Sequence, residues 1–274
     1  MKFRRFIFLT VGASLVFALT MTFAPLFPAW ANYAVTGIFL IVCGALWWVA
    51  RARQKLSPFR PVFFAYFASV VGISVPFYLT DGGLRLVGLS TQTPKGVAVA
   101  KLFQASLTIA GILATARLCG EDLASLYIRK GRLFLSLSVG LIAAAALFVL
   151  TMHQTAVTAL STSKLASLAP WIALFVVPNA LMEELLFRGL FLGRYEPIVG
   201  QGLAVLSTAL AFALAHLQVT YTAGMPGFLL ATFALAVAWA WLMQRTANLW
   251  GSALFHAGAD MLIIVPIFAG FGAL

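Results

Sequence analysis

The chain has 274 residues, of which 62% are hydrophobic and 9% charged, with 18 Lys and Arg against 7 Asp and Glu. A soluble globular chain carries about 25% charged residues, so this composition excludes a soluble enzyme or binding domain and reads as an integral membrane protein. The formal charge of +11 invites a nucleic-acid partner, but its distribution along the chain accounts for it as membrane topology, and no nucleic acid is expected.

Nine apolar segments follow one another at 6–26, 33–50, 61–79, 97–116, 133–151, 167–187, 199–217, 226–243 and 249–270. Each is near the ~20 residues that cross a hydrocarbon core. The predicted fold class is all-α, a polytopic membrane bundle of eight or nine transmembrane helices. The first segment begins like a signal peptide, with Lys2, Arg4 and Arg5 ahead of an apolar run. The bulky stretch 23–28 offers no small-residue cleavage site, so a retained first span is predicted. Taken alternately, the connections give one side Lys2, Arg4, Arg5, Arg51, Arg53, Lys55, Arg60, Arg117, Arg129, Lys130, Arg132, Arg188, Arg194 and Arg245, fourteen of the eighteen basic residues. The other side receives Arg85, Lys95, Lys101 and Lys164. Positive charge marks the cytoplasmic side, which puts the N-terminus inside; the same charges suit anionic lipid headgroups.

Along the first five spans few ionisable residues interrupt the apolar runs. Pro76 and Thr80–Gly83 are expected to end the third span. Glu121 and Asp122, beside Arg117 and Arg129, read as a solvated charge cluster. His153, next to Gln154, reads as interfacial. Cys43 and Cys119 support neither a disulfide framework nor a zinc cluster. No soluble domain, low-complexity segment or internal repeat is visible.

The ionisable residues of the last third lie inside apolar spans. Met182-Glu183-Glu184-Leu185-Leu186-Phe187-Arg188 sets two carboxylates and a guanidinium at membrane depth. Each costs about 2.5–3.5 kcal/mol there, so it needs a partner or a use. Glu184 and Arg188 are four apart and can pair on a helix. Glu183 lies about 100° round the helix and is left as a free carboxylate, a candidate general base. A structural ion pair between helices is the plain alternative. Phe212 and His216 are four apart in the seventh span, and His256 and Asp260 four apart in the ninth, behind Asn248 and Trp250. Three spans thus turn Glu, His, His and Asp inward, which serves a hydrolytic site, a metal site or a proton path. A proton-coupled transporter would use such residues too, but repeat halves and paired broken spans, its usual signature, are missing. A protein that sequesters a peptide without cutting it also fits.

The three motifs, Glu183-Glu184-x-x-x-Arg188, Phe212-x-x-x-His216 and His256-x-x-x-Asp260, resemble in order those of the CAAX-protease and bacteriocin-processing (CPBP, or Abi) membrane protease family. The resemblance covers roughly residues 165–265. It implies about five N-terminal transmembrane helices over 1–160 and a catalytic membrane core over 161–274, in a multi-pass protein of a bacterial cytoplasmic membrane. It further implies an intramembrane endopeptidase acting on a membrane-associated protein or peptide. By resemblance, Glu183 and His216 activate a water, and His256 and Asp260 polarise the scissile carbonyl. Glu184, Arg188, Phe212 and Asn248 support them. Family members cut prenylated CAAX proteins or take part in peptide maturation, immunity or sorting, and nothing in this chain selects among these.

The residue chemistry is compatible with these roles. Desolvation makes a carboxylate a better base. A donor such as His256 at a developing oxyanion contributes about 2.7–4 kcal/mol in a dry site. An ionised Asp260 cannot donate, so it is expected to fix the His256 tautomer or to bind metal. Glu183, His216 and His256 would make a two-His, one-carboxylate zinc set, and zinc is left open on ligand type. One conflict concerns depth. Counted at 1.5 Å per residue, His216 stands about 10 Å farther from the basic side than Glu183. Gly189, Gly193, Pro197, Gly200 and Gly202 suggest a connection that leaves the membrane surface, with a cavity opening to the cytoplasm or the inner leaflet.

Overall fold

The computed structural model describes residues 2–22, 26–219, 222 and 224–271; these are helix, turn and loop, with no strand among them. Of the stretch read as lacking a cleavage site, residues 23–25 lie outside the described residues. The helices are α1 (Lys2–Phe17), α2 (Ala29–Ala52), α3 (Arg60–Leu86), α4 (Pro94–Leu118), α5 (Leu133–Met152), a single turn α6 (Thr155–Thr158), α7 (Thr162–Glu183), α8 (Leu192–Val199), α9 (Gln201–Ala215), α10 (Met225–Thr246) and α11 (Trp250–Gly270). Among the described residues, eight helical stretches are long and apolar enough to cross a membrane, and the fifteen-residue α9 is a shorter apolar helix. The protein is therefore a multi-pass helical membrane bundle. The predicted seventh span is the short one, because Gly200, at φ 92°, breaks the chain just before it.

The N-terminal helices are built into the bundle. α1 packs on α9, α4 on α7, and α5 on α11. Thr10 Oγ1 donates to Ser207 Oγ at 2.8 Å. The α5–α11 crossing is closest, because small residues face each other there. Added Cβ atoms at Gly140, Gly251 and Gly258 would run into Gly251, Ser136 and Ala144 respectively. Without water to drive association, such close backbone packing is what joins membrane helices.

Two local expectations are corrected. α3 runs through Pro76 and Thr80–Gly83 and stops at Leu86. Its stop is Gly88, at φ 65°, with Leu89 N bonded to the Leu84 carbonyl at 3.0 Å. A left-handed glycine lets the last carbonyls be capped, whereas Gly82 and Gly83 merely weaken a helix that packing holds. Glu121 is not part of a solvated cluster: its Oε2 accepts from Arg194 Nη2 at 3.0 Å, and Arg194 is buried. Arg194 belongs to α8, seventy-three residues away, so short-range charge counting could not pair them. His153 caps α5, exposed, with Nδ1 on the Val149 carbonyl, and both cysteines are free and buried.

The first part of the connection 189–202 is buried, and its second part is mostly half-buried to exposed. Residues Glu184–Gly189 form a π-helical turn, closed by Leu190 N on the Leu185 carbonyl at 2.9 Å. α8 then tucks inside the bundle, with Tyr195 fully buried and its hydroxyl donating to the Leu9 carbonyl at 3.0 Å.

Candidate active site

α7 ends where its register changes, and that change separates the two glutamates. Glu184 begins the π turn and is fully buried, while the Glu183 side chain keeps 13% of its surface exposed. A single wide turn of this kind is often found at functional sites. Glu184 Oε1 accepts from Arg188 Nη1 at 2.9 Å and faces His256 Nδ1 at 2.9 Å. Its Oε2 accepts from Ser252 Oγ. Both oxygens of this carboxylate thus have protein partners, which is how a buried charge is tolerated. Arg188 Nε and Nη2 lack hydrogen-bond partners among the described residues. The guanidinium lies instead over the faces of Phe212 and Trp239, at 4.3 and 5.3 Å. Ring quadrupoles stabilise a desolvated cation in this position.

His256 is the hub. Trp239 stacks on its ring at 3.9 Å and 8°, and Phe212 meets it edge-on at 5.6 Å. On the side away from Glu184, Nε2 is 3.4 Å from Glu183 Oε2 and 3.5 Å from Asp260 Oδ1. An ionised carboxylate only accepts, so Nδ1, the ring nitrogen facing Glu184, is the donor of that pair. Glu184 stands on the Nδ1 side of the ring, and Asp260, expected to fix its tautomer or to bind metal, stands with Glu183 on the Nε2 side. Asp260 Oδ2 in turn accepts from Asn179 Nδ2 at 2.9 Å.

His216 has the opposite character. It is the C-cap of α9, and its Nδ1 sits 2.8 Å from the Phe212 carbonyl. A carbonyl only accepts, so Nδ1 is the donor of this pair. Among the described residues no hydrogen bond or ion pair joins His216 to Glu183, His256 or Asp260; its ring packs on Phe212 at 4.5 Å and Phe228 at 6.2 Å. All four residues nonetheless line one cavity of about 580 Å³, together with Lys101, Asn179, Phe187, Phe212 and Trp239. That volume is typical of a ligand site. His216, expected to lie at a different depth, thus lines the same cavity as the other three.

Asn248 is not in the cavity wall. Its Oδ1 accepts from Ser136 Oγ at 2.7 Å and Trp250 N at 3.1 Å, and its Nδ2 donates to the Lys130 carbonyl at 3.1 Å. It ties the start of α11 to α5 and so sets the height of His256. The zinc set left open from ligand types does not assemble: among the described residues no three His, Cys, Asp or Glu side chains are grouped to hold a metal ion. Both His256 nitrogens face carboxylates, and His216 is apart from them. Asn179, Ser252, Trp239 and Lys101 carry no motif signal. Lys101, counted as an outer-side charge, is partly buried in the chamber wall, with Nζ on Gln104 Oε1 at 2.7 Å.

The chamber wall runs from the buried pair Trp239 and His256 outward to Ile267 on α11, Phe228 on α10, Val219 beyond α9, Val97 on α4 and Met21 beyond α1, all partly exposed. These rim residues are at the helix ends opposite the basic loops. Toward the basic end Glu184, Arg188, Leu190, Leu192 and Tyr195 are each fully buried.

Residues 165–262 match the family model for type II CAAX prenyl endopeptidase Rce1-like proteins. Neither the curated proteins nor the solved structures yield a match. The matched stretch holds Glu183, His216, His256 and Asp260, and it supports CAAX-type membrane protease activity on a membrane-associated substrate. Residues 165–262 of this chain thus match an Rce1-like family model, which belongs to the CPBP family.

Proposed function

We propose that the protein is an intramembrane endopeptidase that hydrolyses a peptide bond with water activated by Glu183. The observation that carries this is the pairing at His256 Nε2: a partly exposed glutamate and an aspartate face one ring nitrogen in the wall of a cavity. Glu183 takes a proton from water as its oxygen bonds to the scissile carbonyl carbon. His216 Nε2, an acceptor, receives the water's second O–H and aims it. The carbonyl oxygen becomes an oxyanion and accepts from His256 Nε2–H, whose ring Glu184 holds in place. Collapse breaks the C–N bond, and the departing amine takes the proton from Glu183. Asp260 holds the positive ring from the Nε2 side, steadied by Asn179. No step is routed through a metal, because the side chains are engaged with one another in place of a metal-ligand geometry.

The test is mass spectrometry of membrane peptides after incubation with proteoliposomes of the wild type and of Glu183→Gln. Glutamine keeps the shape and cannot take the proton. Cleavage products should appear with the wild type and fall by about 10²–10⁴-fold in the variant, the range for a lost general base. Undiminished cleavage by Glu183→Gln would overturn the mechanism, and peptide retained but uncut by the wild type would favour a binding protein.

A further inference from the structure

α10 has cavities on two of its faces. One face, with Ala231, Thr232, Leu235 and Trp239, lines the chamber. Another, with Ala234, Val237, Ala238 and Trp241, lines a groove of about 610 Å³ against α9. The groove and the chamber share no lining residue among those described. Its width comes from small side chains: Ala234 and Ala238 stand across from Gly202, and nothing lies within 4 Å of a Cβ placed at Gly202. From Ala234 to Arg245 it runs about 16 Å along the helix, at 1.5 Å per residue. Apart from its polar end, Val205, Leu206, Val237 and Trp241 make it apolar. A long, narrow, apolar space on a membrane-facing helix pair has the form of an acyl chain.

The polar end is cationic. Arg245 lies in the groove wall, exposed, with its guanidinium over the Trp241 ring at 5.3 Å. An exposed Trp beside an Arg is what the headgroup level of a bilayer favours. Arg129, Lys130 and Arg132 reach the same end of α10. There Arg129 Nε donates to the Ala247 carbonyl at 2.7 Å, Arg132 N donates to the Thr246 carbonyl at 2.7 Å, and the Lys130 carbonyl accepts from Asn248. All four cations are exposed, and among the described residues none is in an ion pair. Glu196 also stands at this end, but it accepts from Gln201 Nε2 at 2.8 Å and faces Gln244 Nε2 at 3.5 Å. Those amides are turned to Glu196, which leaves the guanidinium for a ligand. Four cations around one groove end suit a phosphate with net negative charge and repel the ammonium of a zwitterionic headgroup.

We propose that the groove between α9 and α10 is a binding site for an anionic phospholipid. One acyl chain lies along Val205, Leu206, Val237 and Trp241, and the phosphate accepts from Arg245. The site is separate from the chamber and does not depend on the protease reading. The test is native mass spectrometry of the full chain in detergent, titrated with phosphatidylglycerol or with phosphatidylcholine of the same acyl chains. One phosphatidylglycerol should be retained per chain, at least fivefold better than phosphatidylcholine. Arg245→Gln should weaken its retention about fivefold, the worth of one Lys or Arg beside anionic lipid, while Arg53→Gln, in a basic loop away from the groove, should change it little. Ala234→Phe, which fills the groove from an exposed position, should abolish retention; Leu206→Trp replaces it if that variant does not fold. A diazirine on the acyl chain should crosslink to peptides spanning 201–206 or 234–245. Equal retention of the two lipids, retention unchanged by Arg245→Gln and Ala234→Phe, or crosslinks confined to other helices would overturn the proposal. So would a dimer without bound lipid that Ala234→Phe disperses, since the groove would then take a second copy of the chain.

Discussion

Glu183 and Glu184 are identical, adjacent and unlike in every physical respect. Glu184 is fully buried with Arg188, Ser252 and His256 around it. Glu183 faces the cavity with one imidazole nitrogen near it. Substitutions should separate them. Glu183→Gln should lose cleavage while its thermal denaturation in detergent stays at the wild-type temperature. Arg188→Met should lower stability by about 3–5 kcal/mol, because it leaves Glu184 charged and unpaired in the interior. Adding Glu184→Gln to Arg188→Met should recover much of that stability yet not the activity, since His256 Nδ1 then lacks its ionised acceptor. Recovery of both would mean that Glu184 does not orient His256. At the same scale, a strong chelator should leave cleavage unchanged. Abolition by the chelator, reversed by zinc, would show that Glu183, His216 and His256 rearrange into a ligand set.

At the scale of elements, the height of the site depends on how α11 sits on α5. Ser136 Oγ accepts from Gly251 N at 2.9 Å while donating to Asn248, so one hydroxyl joins both helices. Gly251 lies one turn before His256, against the Ser136 carbonyl. Gly251→Val should push the helices apart, lower stability by about 1–3 kcal/mol as overpacking does, and reduce cleavage without touching any cavity residue. Gly202→Ala in α9 is the control. Nothing stands within 4 Å of a Cβ there, so it should be neutral or stabilising by up to about 1 kcal/mol. Equal losses from the two would separate activity from the α5–α11 crossing. The π turn belongs to this scale as well. Four-residue spacing correctly paired Glu184 with Arg188, but a change of helix type has no pattern in side-chain chemistry alone.

For the whole molecule, the N-terminal helices carry more than the sequence indicated. Lys101 and Val97 of α4, with Met21 beyond α1, contribute to the chamber wall although no motif includes them. Composition and span length determined by themselves that this is a multi-pass helical bundle, because a hydrocarbon solvent admits few other solutions. The three motifs located Glu183, His216, His256 and Asp260, because ionisable groups at membrane depth are conspicuous in an apolar sequence. Only the tertiary structure decided their partners. His256 and Glu184 are 72 residues apart, Asn179 and Asp260 are 81, and Ser252 and Glu184 are 68. Such contacts depend on which helices pack together and at what height, and those are set by close small-residue crossings and by the tucked α8. Periodicity along one chain counts distance from a membrane surface, whereas a cavity forms wherever several helices fail to fill the space between them.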